Sequence, residues 1–375
     1  MKVAIVHDWL TTMRGGERCL EVFCELFPEA DLYTLLHIPG ACSEKIEKRN
    51  LHTSFIQQLP FYASKYRSYL PLFPFAIERF NLKEYDLVLS SSHCVAKGVI
   101  PGPNALHICY IYTPMRYIWD MFDEYFSEEK VGKLQRNLIQ SIATFLRAWD
   151  VSSSDRVDHF ISISRHVQKR VQKYYRRDSE ILYPPVDTKF FQPGAQKEGY
   201  YLIAGGLVPY KRVELAVEAF NRLQEPLVII GAGPEGERLR KMAGFPGIKF
   251  LGYQSNESLR RYYQSCRALI FPGEEDFGIV PVEAMACGRP VIAYGRGGAL
   301  ETVIPRGSDQ PPTGLFFKEQ NVESLTEAIK EFEKMEKEFN PQAIRGHAES
   351  FERQLFKERF QELVNKYLRE MKERD

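Results

Sequence analysis

The chain has 375 residues, too many for one ordinary core when domains run on the order of 100–200 residues, so two α/β-sized domains are expected. Hydrophobic residues make up 44% and charged residues 26%, which supplies packed cores and excludes a disordered chain. Fifty Lys and Arg against 49 Asp and Glu leave a net charge of +1, without the basic excess of a general nucleic-acid binder. Residues 2–6 read as a short buried strand. A loop with Gly15 and Gly16 and an apolar-periodic segment, 19–27, follow, which is how a doubly wound α/β layer begins. Further strand-like runs fall at 31–36, 86–90, 105–111 and 159–162. Residues 55–80 are different: proline-punctuated, with Phe55, Phe61, Tyr62, Tyr66, Tyr69, Phe73 and Phe75 interleaved with Lys65, Arg67 and Arg79.

The prolines of the 183–187 segment, YPPVD, stop any helix, and after them the pattern restarts. Strands are expected at 201–204, 227–230, 248–251, 268–271 and 290–293, with helices at 212–223, 234–243, 257–266 and 281–287 between them. From Phe351 to Met371 one apolar stripe at helical spacing predicts a long terminal helix. The N-terminal apolar run is broken by His7 and Asp8, too early for a signal peptide, and no stretch of ~18 apolar residues exists. Seven scattered cysteines without a CxxC pair suit reduced thiols in a cytoplasmic protein.

Three glycine turns stand where strands end: Gly15 with Gly16, Gly205 with Gly206, and Gly231 with Gly233. Each can bring backbone N–H groups to an anion at a helix N-terminus, or merely serve a turn needing positive φ. Lys211 and Arg212 read as the opening of a helix beside the second turn, and two cations there oppose the helix dipole unless an anion such as a diphosphate binds. In the segment 271–288, acids follow a strand and Gly278 leads into a helix bearing Glu283. Glu275 and Glu283, eight apart, are expected to line one cleft at the carboxyl end of the sheet. Such carboxylates serve as acid and base, or accept hydrogen bonds from sugar and ribose hydroxyls. The amides of Gly278, Ile279 and Val280 face the same ligand in this reading.

The motifs RGGER, SSSHCVAKGV, YTPMRYIWD, YPPVD, LVPYKRVE, the EX7E pair and GRPVIAYGRGGALET together resemble the retaining glycosyltransferases of family four, most of all bacterial mannosyltransferases that build O-antigen and related polysaccharides. The resemblance implies a GT-B fold: two Rossmann-like doubly wound domains facing across a cleft, with a C-terminal helix crossing back. The boundaries are then 1–185 with helix 352–375 for the acceptor-side domain and 186–351 for the donor domain. It implies that Lys211, helped by Arg212, neutralises a donor diphosphate, that Glu275 holds sugar hydroxyls and Glu283 the ribose. Phe277, Gly278, Ile279 and Val280 would contact sugar and phosphate through the backbone. Gly15, Gly16, Gly205, Gly231 and Gly233 would line the donor site, and His93 and Arg116 the acceptor side. Two positions depart from the family: Gly206 stands where many members have Arg, and Tyr112 where His often precedes the TP motif. Tyr112 is therefore placed with Lys211 and Glu275 in the reacting centre.

No Asp-x-Asp and no His/Cys cluster with metal spacing is present, so metal-independent transfer without a cofactor is expected. The resemblance implies a hexose donor, GDP-mannose by subfamily likeness, a glycan or lipid-linked glycan acceptor, and peripheral contact of residues 55–80 with the inner face of the cell membrane. A nucleotide-sugar epimerase and a catalytically weak nucleotide-sugar binding module are the competing readings.

Overall fold

The computed structural model describes residues 1–126, 132–194 and 198–373, and they separate into two units, 1–185 with 356 onward and 186–355. In the first unit β1 (Val3–His7), β2 (Asp31–Thr34), β3 (Leu51–Thr53), β4 (Leu87–Ser92), β5 (Leu106–Ile111), β6 (His159–Ser162) and β7 (Ser179–Ile181) form one sheet in the order β3-β2-β1-β4-β5-β6-β7. Every pairing is parallel; Ile5 of β1 lies between Leu32 and Leu89. All five residues of β1 are buried, as a central parallel strand covered by helices on both faces requires.

The second unit repeats the scheme. Strands β8 (Tyr201–Ala204), β9 (Leu227–Ile230), β10 (Ile248–Gly252), β11 (Leu269–Phe271), β12 (Val291–Tyr294) and β13 (Gly314–Phe317) run parallel in the order β10-β9-β8-β11-β12-β13. The expected class, two doubly wound parallel sheets, is met. In each sheet the strand order reverses once, between β1 and β4 and between β8 and β11. Loops leaving the carboxyl ends of such a strand pair diverge and open a crevice. Most of the site candidates stand on loops or helix starts that follow the strands at these two places.

Several expectations need correction. Strands β3 (LHT) and β7 (SEI) carry no apolar run, and pairing at the sheet edge rather than burial makes them strands. Strand β13 and the helices Val322–Met335 and Pro341–Ala348 were also absent from the expected elements. The first of these helices carried a plain signal: Val322, Leu325, Ile329, Phe332 and Met335 are buried at helical spacing, and Asn321 caps it by accepting the Ser324 N–H at 2.8 Å.

The terminal helix runs Arg353–Lys372, and the last two residues of the expected 352–375 lie outside the described residues. Its buried stripe starts at Phe356, not Phe351. Phe356 and Phe360 pack on Phe23, at 5.8 and 4.8 Å between ring centres, and Tyr367 stacks on His159 at 3.7 Å. Phe351 belongs to the second unit, where its ring meets Phe277.

Residues 55–80 fold into short turns, Phe55–Gln58, Tyr62–Lys65, Tyr66–Leu72 and Phe73–Ile77, as Pro60, Pro71 and Pro74 dictate. Tyr66 and Phe73 are buried in the core of the first unit with Ile56, Ala76 and Ile77, so most of these aromatics pack the fold rather than face outward.

Candidate functional site

In the second unit the loop after β8 carries Gly205 and Gly206, then a single 3₁₀ turn, Pro209–Lys211. Lys211 and Arg212 do not open the helix. Arg212 takes a left-handed conformation, φ 52°, that ends the turn begun by Pro209, and the helix is Val213–Leu223. Arg212 Nε donates to Glu214 Oε1 at 2.6 Å, so its charge is held on its own segment. Lys211 instead reaches back across the strand ends. Its Nζ lies 2.8 Å from Glu275 Oε1, and both side chains are largely but incompletely buried, 17% and 20% exposed. Gly205, at φ 133°, leaves room for that ammonium: a Cβ there would sit 2.9 Å from Lys211 Nζ. Gly205, Gly206, Lys211, Phe271, Gly273 and Glu275 thus line one small depression at the β8–β11 reversal.

The loop after β11 is held from two sides by glycines. A Cβ on Gly273 would meet Lys211 Cα at 2.8 Å, and one on Gly297 or Gly298 would strike the Glu275 carbonyl oxygen or Phe277 Cα at 2.4 and 2.3 Å. The Gly298 N–H also donates to the Glu275 carbonyl at 2.7 Å. These three glycines position Glu275 and were missing from the sequence reading of the site, although Gly297 and Gly298 form a plain two-glycine turn after β12. Gly278, at φ 89°, then leads into the helix Ile279–Ala286, whose first amides have no partner within the helix.

Glu283 lies in the second turn of that helix, 2% exposed, and Oε2 accepts the Tyr263 hydroxyl at 3.0 Å. The depression lined by Lys211 and Glu275 does not include it. Of the two glutamates expected to line one cleft, Glu275 is thus partly open and Glu283 is buried. Gly231, at φ 138°, and Gly233 have a packing reason of their own: Cβ atoms would fall 1.8 Å from the Gly205 oxygen and 2.2 Å from the Leu207 oxygen. The loops after β8 and β9 press backbone against backbone.

In the first unit the β1–β4 reversal is organised by Asp8, a residue assigned no role from the sequence. Asp8 is fully buried and accepts four backbone N–H groups, from His93 and Cys94 on Oδ2 (2.6 and 3.0 Å) and from Val95 and Ala96 on Oδ1 (2.6 and 2.7 Å). His93 Nδ1 adds a contact of 3.0 Å to Oδ2. Burial alone would raise its pKa, but the His93 charge and these hydrogen bonds outweigh that and hold the carboxyl at about 2. His93 moves the other way: burial opposes its charge, yet Asp8 prevails and raises its pKa, against a smaller opposing push from Arg116.

The rest of the SSSHCVAKGV motif is scaffold. Ser91 Oγ meets His7 Nδ1 at 3.0 Å, and Lys97 is fully buried on Asp150 Oδ1 at 3.1 Å and the Asp150 carbonyl at 2.6 Å. Gly98 lets Trp149 approach to where a Cβ would be 2.3 Å away.

Tyr112 is buried, and its hydroxyl is engaged inside the unit, at 2.8 Å from Ser91 Oγ and 3.0 Å from the Gly16 carbonyl, to which it donates. Burial pushes its pKa far up, so it stays protonated. Its expected place in a reacting centre is corrected to a tether on the Gly15 and Gly16 turn. That turn starts the helix Gly15–Leu26, closed by the Arg14 N–H donating to Glu17 Oε2 at 2.9 Å. His93 keeps a partly exposed side chain (28%) at the end of β4.

Residues 186–346 match the family described as Glycosyl transferases group 1. An uncharacterized glycosyltransferase of Methanocaldococcus jannaschii is 28% identical over 184 residues, 46% of this chain and 49% of that protein. The D-inositol 3-phosphate glycosyltransferase of Mycobacteroides abscessus is 28% identical over 203 residues, 48% of this chain and 43% of the relative. The chain spans about half the length of the curated relatives it matches. Among solved structures, Anabaena HepE in complex with UDP superposes with a TM-score of 0.69 at 15% identity, covering 98% of this chain and 100% of that one. Sucrose-phosphate synthase of Thermosynechococcus elongatus gives 0.72 at 17%, covering 98% and 99%. This likeness shows the fold, which is the GT-B fold.

Proposed function

We propose that the chain is a metal-independent, retaining glycosyltransferase of family four that moves a hexosyl group, mannose from GDP-mannose, to a glycan or lipid-linked glycan in bacterial polysaccharide assembly. The observation that carries the reading is the Lys211–Glu275 pair at the β8–β11 reversal, inside the segment that matches the group 1 family. An ammonium has three N–H donors, so Lys211 can keep Glu275 while donating to a diphosphate oxygen. Glu275, repelled by phosphate, is left to accept from sugar hydroxyls. Charge developing on the leaving diphosphate meets Lys211, and the helix beginning at Ile279 offers its first amides. The acceptor proton passes to a donor phosphate oxygen as the glycosidic bond to that phosphate breaks and the new one forms on the same face.

Three parts of the reading rest on the resemblance and the local chemistry together. Glu283 contacts the ribose after exchanging its Tyr263 partner, Arg212 helps at the phosphates, and His93 and Arg116 meet the acceptor. The protein works in the cytoplasm without a cofactor.

The test is incubation of the purified chain with GDP-mannose and, separately, UDP-glucose, in excess EDTA, with octyl mannoside as acceptor. Product is read by mass spectrometry and anomeric configuration by NMR. A disaccharide glycoside with the donor's configuration supports the reading. Conversion of the donor to an isomeric nucleotide sugar would assign an epimerase, and binding without consumption of any donor a binding module.

A further inference from the structure

Beneath the Gly15 and Gly16 turn lies a buried ring to which the transfer chemistry assigns nothing. His7 ends β1 with no exposed surface, and Ser91 is its register partner on β4. A Cβ on Gly16 would sit 3.6 Å from His7 Cε1, so the ring packs directly against the turn. The two nitrogens flank Cε1, and each leads to a different part of that turn.

On the Nδ1 side the directions of the hydrogen bonds are fixed. The Tyr112 hydroxyl donates its one proton to the Gly16 carbonyl at 3.0 Å, so its oxygen accepts from Ser91 Oγ at 2.8 Å. With its own proton so placed, Ser91 Oγ accepts from His7 Nδ1 across 3.0 Å. The chain therefore runs one way, from Nδ1–H through Ser91 and Tyr112 to Gly16.

On the Nε2 side stands Glu17, 4% exposed, with Oε1 at 3.8 Å from Nε2, while Oε2 accepts the Arg14 N–H at 2.9 Å. That gap is too long for a hydrogen bond, and Nε2 has no hydrogen-bond partner among the described residues. A bare lone pair there would face a buried carboxylate, whereas a protonated nitrogen pairs with it. Burial works to raise the Glu17 pKa, but His7 outweighs it and holds the carboxyl below its ordinary value. The neighbouring charges are already matched: Asp8 pairs with His93, whose ring centre lies 6.0 Å from that of His7. One imidazole then stands against each of the two buried acids.

We propose that His7 is a buried imidazolium, donating to Ser91 from Nδ1 and facing Glu17 from Nε2, and that it positions the Gly15 and Gly16 turn from both sides. His7, Ser91 and Glu17 are positioning residues, acting through the backbone of that turn. The consequence for activity rests on the reading in which Gly15 and Gly16 line the donor site. The protonation of His7 does not.

Nitrogen-15 NMR of the full chain labelled at histidine, at neutral pH and without substrate, tests the protonation. The His7 signals are assigned by their absence from His7→Asn, or from His7→Gln if the first variant does not fold. Both nitrogens are expected to carry protons in the wild type. Glu17→Gln keeps the shape and an acceptor for the Arg14 N–H, so it should remove the proton from Nε2 and leave the one on Nδ1. Kinetics of Glu17→Gln and of Ser91→Ala test the positioning: the KM for the nucleotide sugar should rise about fivefold while the KM for the acceptor holds. General damage to the fold would instead move both constants and lower the melting temperature. A wild-type His7 with a bare nitrogen overturns the proposal, as does a ring that stays doubly protonated in Glu17→Gln. An unchanged donor KM in both variants overturns the positioning role. If the chain transfers no sugar, the proposed function fails, and amide hydrogen exchange over residues 14–17 decides the positioning instead: faster exchange in Glu17→Gln supports it, and unchanged exchange overturns it.

Discussion

Asp8 has no exposed surface, yet it stays ionised because four backbone N–H groups and His93 surround it. A carboxyl moved from 3.8 to about 2 contributes roughly 2 kcal/mol above pH 4, lost as pH falls from about 4 to about 2. The raised pKa of His93 has the opposite sign: its share is present below the ordinary value of 6.5 and is lost as pH rises through the folded value. Chemical denaturation should therefore show Asp8→Asn less stable than wild type at pH 5–6, with the gap closing toward pH 2. Equal stability of the two proteins at pH 5–6 would refute the assignment of Asp8 as the organiser of the β4 loop. Lys211 and Glu275, which the structure pairs at 2.8 Å, could be singled out from the sequence because their neighbours form a specific motif. Asp8 was not, since its partners lie 85–88 positions away in the chain and a lone Asp after a strand signals nothing by itself.

The expected strands β8 and β9 coincide with the observed ones, because short β-branched and aliphatic runs bounded by glycine or proline have few other conformations. The edge strands β3 and β7 escaped, being held by a neighbour's hydrogen bonds rather than by burial. Glycines show the same limit: the sequence displayed three turns and offered anion binding or positive φ for each, and packing separates them. Gly231→Ala would place a Cβ 1.8 Å from the Gly205 oxygen, whereas Gly16→Ala meets His7 and Tyr112 at ordinary contact distances of 3.6 and 3.7 Å. Thermal unfolding should accordingly show Gly231→Ala several degrees below wild type and Gly16→Ala close to it. A Gly231→Ala protein that melts with the wild type would contradict the backbone packing of the β8 and β9 loops. A loss of transfer in well-folded Gly16→Ala would report on ligand at that turn, not on the fold.

Across the whole molecule the chain passes from the first unit to the second after Pro185 and returns after Leu355. The Val186 N–H donates to the Phe351 carbonyl at 2.9 Å, so the two crossing segments are tied together within the second unit. The double proline made the first crossing readable, and the helical stripe announced the second, displaced by a few residues because Phe351 packs on Phe277. What the sequence could not carry is the state of Glu283, which is buried and accepts the hydroxyl of Tyr263 from another helix.

In the proposed function the depression at the β8–β11 reversal takes a nucleotide-sugar diphosphate through Lys211. Calorimetric titration of GDP-mannose and UDP-glucose into wild type and Lys211→Ala, in excess EDTA, tests it most directly. One site per chain is expected in the wild type, with affinity for the bound donor falling by about tenfold or more in Lys211→Ala, since a charge-assisted contact worth about 1.5–3 kcal/mol is removed. Equal affinities in the two proteins, or no binding of either donor to the wild type, would contradict it.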